Sequence, residues 1–271
     1  MIRRQSLEVV TRRVGRDEGT VEYAIGDVHG CVDELTEALD WCASDAERLG
    51  LKGRVHLLGD YIDRGPDSKG VLDLLMKGPT DSHMDWLPIM GNHDEILALA
   101  WRAPAIANHV QLWWDNGGQQ TLQSFGWNPA GRLPGHLAEF IDWSYIEFIE
   151  GLPHATVADD VLFVHAGIRP GVAFEDQALH DLLYIRGDFM RSEDDFGCVV
   201  VHGHTPNGTE HPKAYHNRVA LDSGCFSSGA LSVAAFDPGC RYPRLKVVGR
   251  NARDIPMDSD LVARYVDKAS P

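Results

Sequence analysis

Three observations along the sequence predict an α/β (α+β) fold. In the first hundred residues, three short apolar runs each stop at a turn containing glycine, and a helical pattern follows. From about residue 98 to residue 152 the sequence has no strand-like runs. From residue 161 such runs return, most of them separated by turns with glycine and proline. The sequence therefore predicts strand–turn–helix units first, a helical insert next and a strand-rich second half.

The first half is predicted to contain three successive strand–turn–helix units. Strands are expected at residues 21–25, 54–58 and 86–90, and helices at residues 31–49, around 71–76 and from Asp94 onwards. Successive units of this kind place their connecting loops at one edge of a sheet, where open α/β sheets bind ligands. The loops after these strands are therefore the first candidates for a functional site.

The second half is predicted to be rich in β-strands. Strands are expected at residues 161–164, 199–201, 218–221, 230–236 and 245–248, the last of these being the final strand. A helical segment is expected around 177–191, and a short helix at 260–268 in a polar tail. The arginines at positions 12, 13 and 16 are interpreted as part of a solvated surface segment. Without internal repeats or a linker, residues 1–271 are expected to form a single domain.

The helical insert, expected at about residues 98–152, is rich in tryptophan. Its members are Trp101, Trp113, Trp114, Trp127 and Trp143. These side chains either pack the insert, or one or two of them contact the leaving group of a substrate. Their spacing does not separate the two interpretations.

Composition and charge exclude several classes of protein. The 271 residues carry a formal net charge of −15, which opposes nonspecific binding to nucleic acid or to an anionic membrane. Five widely spaced cysteines without a C-x-x-C pair indicate neither a disulfide framework nor a cysteine–zinc site. Because the sequence also lacks a signal peptide and a long apolar span, we expect a cytoplasmic protein. The sequence does not predict its oligomeric state.

Five short motifs follow the predicted strands and offer oxygen and nitrogen ligands. They are G-D-V-H-G at 26–30, G-D-Y-I-D-R-G at 59–65, G-N-H-D at 91–94, V-H-A-G at 164–167 and V-H-G-H-T at 201–205. Any one of them is explained equally well by a turn, a helix cap or a core histidine. Divalent transition metals accept Asp, Asn and His together, so the recurrence of these residues at strand ends favours a metal site.

Individual motifs suggest separate chemical tasks. Asp27 and His29 are two residues apart, so in extended backbone they project to the same side and can bind one ion. In the second motif, one aspartate can bridge two metals while the other remains free to orient a neighbour. Asn92 can ligate without adding charge, and the adjacent His93 can then act as an acid.

The ordered motifs resemble the calcineurin-like metallophosphoesterase superfamily, and the second and third resemble its phosphoprotein phosphatase branch. Within that branch they are similar to bacterial serine/threonine protein phosphatases and to symmetrical diadenosine tetraphosphatases. The resemblance spans residue 21 to about residue 236. It implies two mixed β-sheets packed as a sandwich, helices on the outside and the helical insert over the site.

The same resemblance implies a role for each motif residue. It assigns the first metal to Asp27 and His29, the bridging position to Asp60, and the second metal to Asn92, His165 and His204. His93 would be the general acid, oriented by Asp63, and Arg64 and Arg186 would bind phosphate. Asp94 departs from the glutamate usual in eukaryotic protein phosphatases, and His202 is interpreted as lying beside the ligands rather than among them.

These roles imply two divalent metal ions, manganese first and iron or zinc next, with a bridging hydroxide that attacks phosphorus in line with the leaving oxygen. A phosphorylated protein is the first substrate expected, as for a serine/threonine phosphatase. The alternative is a symmetrical bis(5'-nucleosyl)-tetraphosphatase, whose substrate base the tryptophan-rich insert could stack. A catalytically silent phosphate-binding protein is the third alternative, and the filled ligand positions argue against it.

Overall fold

The structure is a computed structural model that describes residues 8–103, 107–132, 134–206, 211–250 and 252–256. Two six-stranded sheets form its centre. The strands are β1 (Thr11–Val14), β2 (Thr20–Ile25), β3 (Lys52–Leu57), β4 (Met84–Pro88), β5 (Ala155–Ala158), β6 (Val161–Val164), β7 (Val199–His202), β8 (Lys213–Ala214), β9 (Arg218–Ala220), β10 (Ala230–Phe236), β11 (Arg244–Gly249) and β12 (Arg253–Ile255).

Both sheets are mixed. The first has the order β12-β11-β10-β2-β3-β4, in which β2, β3 and β4 are parallel and β10, β11 and β12 are joined by antiparallel pairs. The second has the order β1-β5-β6-β7-β9-β8, with β6, β7 and β9 parallel. Parallel strands therefore lie at the centre of each sheet or continue to one edge, and their carboxyl ends carry the motif loops.

Nine α-helices are assigned among the described residues. They are α1 (Val32–Leu49), α2 (Ser68–Lys77), α3 (Asn92–Arg102), α4 (Ala107–Trp113), α5 (Gln119–Ser124), α6 (Trp143–Glu150), α7 (Leu179–Tyr184), α8 (Gly187–Met190) and α9 (Cys225–Ser228). A π-helical segment, Trp114–Gly118, joins α4 to α5. No helix in the described part of the chain is long and apolar enough to cross a membrane.

Alternation of side chains along the strands builds the layers. On β6, Phe163 belongs to the cluster between the sheets, whereas Leu162 and Val164 pack against α7 and α8 on the outside. On β2, Ala24 faces the other sheet, and Tyr23 packs towards α1. The imidazole of His56 on β3 stacks on Phe163 at a centroid distance of 3.7 Å, so the sheets are in direct contact. The predicted sandwich flanked by helices is confirmed.

The predicted strands are confirmed, the edge strand β4 among them, but β1, β5, β8 and β12 were missed. The predicted surface segment contains β1, and Arg16 is largely buried against Asp160, so that interpretation was wrong. β5 and β12 were not predicted, and β12 rather than β11 is the last described strand. The helical segment around 177–191 is interrupted at Ile185, where the backbone is extended, and at Arg186, which is also non-helical. The helix predicted at 260–268 lies outside the described residues.

Candidate metal centre

The loops after the parallel strands have an unusual backbone. His29, Asp60, Asp63, Arg64 and His204 all have positive φ values, between 45° and 71°. Only one other described non-glycine residue shares this property, Asp159. Left-handed backbone is unfavourable for residues with a Cβ atom and is concentrated at functional sites. The strain therefore coincides with the positions that the motifs predicted.

The first group of candidate ligands is formed by His29, Asp60 and His93, whose ligand atoms all lie within 4.8 Å of one another. The Nδ1–H of His29 donates to the carbonyl of Ile62 at 2.7 Å, which leaves Nε2 unprotonated and able to accept. This Nε2 lies 3.6 Å from Oδ2 of Asp60. Burial lowers the pKa of His29 to about 3, so the ring is neutral, as a ligand must be.

The second group consists of Asn92, His165 and His204, which gather on the other side of Asp60. His165 donates from Nδ1 to the carbonyl of Leu58 at 2.7 Å, and its Nε2 lies 2.9 Å from Oδ1 of Asn92 and 3.4 Å from Oδ1 of Asp60. The buried Nε2 of His204 has no hydrogen-bond partner. Ligand atoms of Asp60, His165 and His204 all lie within 4.8 Å of one another.

These contacts fit divalent cations. Lone pairs of Nε2 of His165, Oδ1 of Asn92 and the Asp60 carboxylate converge without a donor between them, which is unfavourable unless a cation lies among them. Burial by itself raises the pKa of Asp60, but the neighbouring histidines, His165 first, lower it below its ordinary value. An ionised carboxylate between two sets of neutral imidazoles can ligate on both sides.

Asp27 lies beside the second group rather than within the closest clusters. Its carboxylate accepts the backbone N–H of His204, at 2.9 Å from Oδ2. Burial, and then the nearby carboxylates of Asp222 and Asp60, raise its pKa well above the ordinary value. Three carboxylates packed together without positive charge repel one another, so their proximity is further evidence that cations belong here.

His93 also forms a hydrogen-bonded pair with Asp63. Its Nδ1 donates to Oδ2 of Asp63 at 2.8 Å, and the other carboxylate oxygen accepts from Nε1 of Trp113 at 3.0 Å and from the Thr121 hydroxyl at 2.6 Å. Burial alone would lower the pKa of His93, but Asp60 and Asp63 outweigh it and raise the pKa. The helical insert thus supplies two hydrogen-bond donors, Trp113 and Thr121, that hold the Asp63 carboxylate in place.

Two arginines lie at the rim of the centre. Arg64 donates to Nε2 of His29 at 2.9 Å and to Nε2 of His93 at 2.8 Å. Its guanidinium also lies 5.3 Å from the ring centroid of Phe226, which is 42% exposed. Arg186 is exposed, with NH1 3.4 Å from the Thr205 hydroxyl. Both are positioned to meet an anion that approaches the cation positions.

Several residues of the centre were not predicted as functional. Asp94 accepts the backbone N–H groups of Asp60, Tyr61 and Gly91, and so fixes the Asp60 loop. Asp222 follows β9, which is the same strand-end signal as in the five motifs, and could have been found from it. Trp113, Thr121 and Phe226 carry no such signal, because tertiary contacts alone bring them to the centre. His202 makes no ligand contact, and its Nδ1 lies 3.0 Å from the carbonyl of Gly203.

Comparisons with known proteins agree with this geometry. Residues 23–242 match the calcineurin-like phosphoesterase family, and the chain therefore belongs to that family. It is accordingly a phosphoester hydrolase, of a family that uses divalent metals.

Among curated relatives, the asymmetrical bis(5'-nucleosyl)-tetraphosphatase PrpE of Geobacillus thermodenitrificans is 28% identical over 83% of this chain and 91% of its own length. Serine/threonine-protein phosphatase 1 of Salmonella typhimurium is 34% identical, over 41% of this chain and 45% of its own length. The fold is similar to the crystal structure of a chain proposed to be a diadenosine tetraphosphatase. That similarity has a TM-score of 0.62 at 22% identity and covers 90% of this chain and 99% of the other.

Proposed function

We propose that the centre binds two divalent cations and hydrolyses a phosphate ester or anhydride. The first cation would be held by Asp27 and His29 and the second by Asn92, His165 and His204, with Asp60 shared between them. The convergence of unprotonated acceptors on Asp60 is the observation that carries this proposal. When bound, the cations supply a hydroxide nucleophile near neutral pH.

Arg64 and Arg186 would hold the oxygens of the reacting phosphate. Arg64 donates to two imidazole nitrogens in the structure, so it must turn outward to meet a substrate. That movement frees Nε2 of His93. Bidentate guanidinium contacts to phosphate are strong and directional, and they become stronger as charge develops in the transition state.

His93 would then protonate the leaving oxygen from Nε2. Its Nδ1 is already committed to Asp63, which fixes the plane of the ring and stabilises the imidazolium form. Since Asp63 is fully buried and is itself bonded by Trp113 and Thr121, the acid is held by a rigid chain of contacts.

The substrate that we propose first is a dinucleoside polyphosphate. The relative with this activity in its name aligns over most of both chains, whereas the protein phosphatase aligns over less than half of each. The exposed ring of Phe226 beside Arg64 offers a flat apolar face on which a base or ribose can pack. A phosphoserine or phosphothreonine protein is the second candidate, because the shorter match to the phosphatase has the higher identity, 34% against 28%.

A panel of substrates at defined metal loading tests both candidates. Manganese-loaded protein is given diadenosine tetraphosphate, a phosphothreonine peptide and p-nitrophenyl phosphate at equal concentrations, and initial rates are compared. Our proposal predicts the highest kcat/KM for diadenosine tetraphosphate. A higher value for the peptide would favour the second candidate, and no hydrolysis with manganese, iron or zinc would refute both.

Phe226→Ala, compared with Phe226→Leu, tests the aromatic face. The alanine variant should raise the KM for the dinucleotide several-fold and leave p-nitrophenyl phosphate little changed, since base stacking on aromatics is worth about 1–3 kcal/mol. The leucine variant keeps apolar bulk without a ring and should behave like alanine if stacking matters. Equal effects of the alanine variant on both substrates would contradict a role for Phe226 in base binding.

A further inference from the structure

A second cluster of metal-ligating side chains lies outside the centre described above. The thiols of Cys31 and Cys225 and the carboxylate of Glu34 each offer an atom within 4.8 Å of the other two. Both cysteines are buried, with 5% and 1% of their surface exposed, and Glu34 is half-buried. The two cysteines are far apart in the sequence, which is why their spacing gave no indication of a site.

The backbone fixes these three side chains from both directions. Cys31 is the residue before α1, held by hydrogen bonds from its N–H to Val28 and from Leu35 to its carbonyl, and Glu34 lies in the first turn of that helix. Cys225 begins α9 between two left-handed glycines, Gly224 and Gly229. The three side chains therefore converge because the turns that carry them are fixed by backbone hydrogen bonds.

The contacts around the two thiols indicate a polar cluster that could bind a further ligand. The hydrogen bond between the thiols, and then burial, raise the pKa of Cys225. Cys31 also donates weakly to the carbonyl of His29 at 3.6 Å. Two thiols and a carboxylate in one buried place have more affinity for a soft or borderline cation than for one another.

We propose that Cys31, Cys225 and Glu34 form a separate site for one thiophilic divalent cation of the zinc or cadmium class. Binding would release two thiol protons to solvent and form two sulfur–metal bonds and one oxygen–metal bond, with water at the fourth position. Tetrahedral zinc with bonds of about 2.0–2.3 Å separates its ligands by roughly 3.5–3.8 Å. The three atoms lie within 4.8 Å of one another, so binding requires them to approach by up to about 1 Å.

The position of this cluster gives it a structural consequence. Cys31 follows His29 by two residues, and Cys225 precedes Phe226, whose ring contacts His29 at a centroid distance of 5.5 Å. A cation here would join the first predicted strand–turn–helix unit to the short helix after β9. The cation would then link the loop that contains Asp27 and His29 to the segment that carries Phe226.

Cobalt titration tests the proposal because the candidate metal centre contains only oxygen and nitrogen ligands. Reduced protein, with its five thiols verified, is titrated with Co²⁺ under inert gas, and thiolate-to-cobalt charge-transfer absorption is recorded. We expect a band that saturates at one ion per chain. Cys31→Ser and Cys225→Ser should abolish it, and Glu34→Gln should keep a band but weaken the affinity about tenfold. Cys240→Ser, an exposed cysteine elsewhere, should leave it unchanged.

Other outcomes are decisive as well. Absence of the band in the wild-type protein, or an undiminished band in Cys225→Ser, would overturn the proposal. Two missing thiols that a reductant restores would show that the pair forms a disulfide and would also overturn it. Circular dichroism and manganese-dependent hydrolysis of p-nitrophenyl phosphate confirm that each variant is folded. Because the absorption does not depend on catalysis, failure here leaves the proposed hydrolase function intact, and failure of that function leaves the cobalt result interpretable.

Discussion

At the scale of single residues, the motif side chains predicted from sequence converge at one edge of the structure. Their residue types and strand-end positions were sufficient for this, because parallel strands bring their carboxyl ends together. Asp222 carries the same strand-end signal as the motif residues, but the contacts of Trp113 and Thr121 were not predictable. Each depends on how a distant segment packs, and short-range spacing carries no information about that. The assigned roles remain predictions, which the following two variants test.

Replacing His93 by asparagine removes the proposed acid and keeps a polar side chain. We expect kcat to fall by roughly 10² to 10⁴ for substrates with a poor leaving group, because the leaving oxygen must then depart unprotonated. For p-nitrophenyl phosphate, whose leaving group needs no proton, the loss should be much smaller. Metal content by elemental analysis should be unchanged. Equal losses on both substrates would contradict the role of acid.

Replacing Asp63 by asparagine tests how the acid is tuned. Asp60 and Asp63 raise the pKa of His93, so the acid stays protonated to a higher pH and kcat falls as pH rises through that pKa. Without the Asp63 charge, this alkaline limb should move to lower pH in a kcat profile. Thr121→Val removes one donor to Asp63 but keeps its charge, and serves as the control. An unmoved limb in Asp63→Asn would exclude Asp63 as the tuning group.

At the scale of elements, most strands were predictable, the edge strand β4 among them, whereas β1, β5, β8 and β12 were not. β2, β6 and β10 are buried along their whole length, and β6 and β10 are almost entirely apolar, as expected for strands covered on both faces. β1 contains two arginines and β12 is charged, so neither has an apolar pattern. These outer strands form because a neighbouring strand offers backbone partners, as β5 does for β1. Whether such a strand forms is therefore decided by its neighbour in the sheet and not by its own sequence.

One ion-pair network joins α1 to β11 and allows a test of stability. Arg244 donates to Asp45 at 2.7 Å and to Asp237 at 2.8 Å, and Asp45 is almost fully buried. Arg244→Leu should lower the free energy of unfolding by roughly 1–3 kcal/mol at pH 7 in urea titrations. Lys69→Leu breaks the exposed Lys69–Asp73 pair and should cost about 0.5 kcal/mol or less.

The pH dependence of that loss has a definite sign. Burial alone would raise the pKa of Asp45, but its hydrogen bonds to Arg244 and Arg48 outweigh this and lower it. The stabilisation is therefore fully present above the carboxyl pKa of the unfolded chain, about 3.9, and is lost as pH falls through the folded value. The difference between wild-type protein and Arg244→Leu should shrink in acid. A constant difference would show that the loss comes from packing alone.

At the scale of the whole molecule, the backbones of the two sheets are in close contact where the first motif begins. A Cβ atom at Gly26, the end of the β2 segment, would collide with the backbone carbonyl of Leu221, which follows β9 of the other sheet. Gly26→Ala should therefore destabilise the protein by about 1–3 kcal/mol, since backbone atoms on both sides must separate. Gly15→Ala, with no atom within 4 Å of the new Cβ, is the matched control in thermal unfolding. Equal melting temperatures would disprove the close contact.

The left-handed backbone at His204 affects the balance between the stability of this protein and its proposed catalysis. Its φ is 62° and its buried Nε2 has no hydrogen-bond partner. When a chelator keeps metal away, both features lower the stability of the folded protein. His204→Gly should raise the melting temperature of chelated protein by a few degrees while abolishing turnover. A lower melting temperature would count against this. The proposed metal role of His204 therefore comes at the expense of stability.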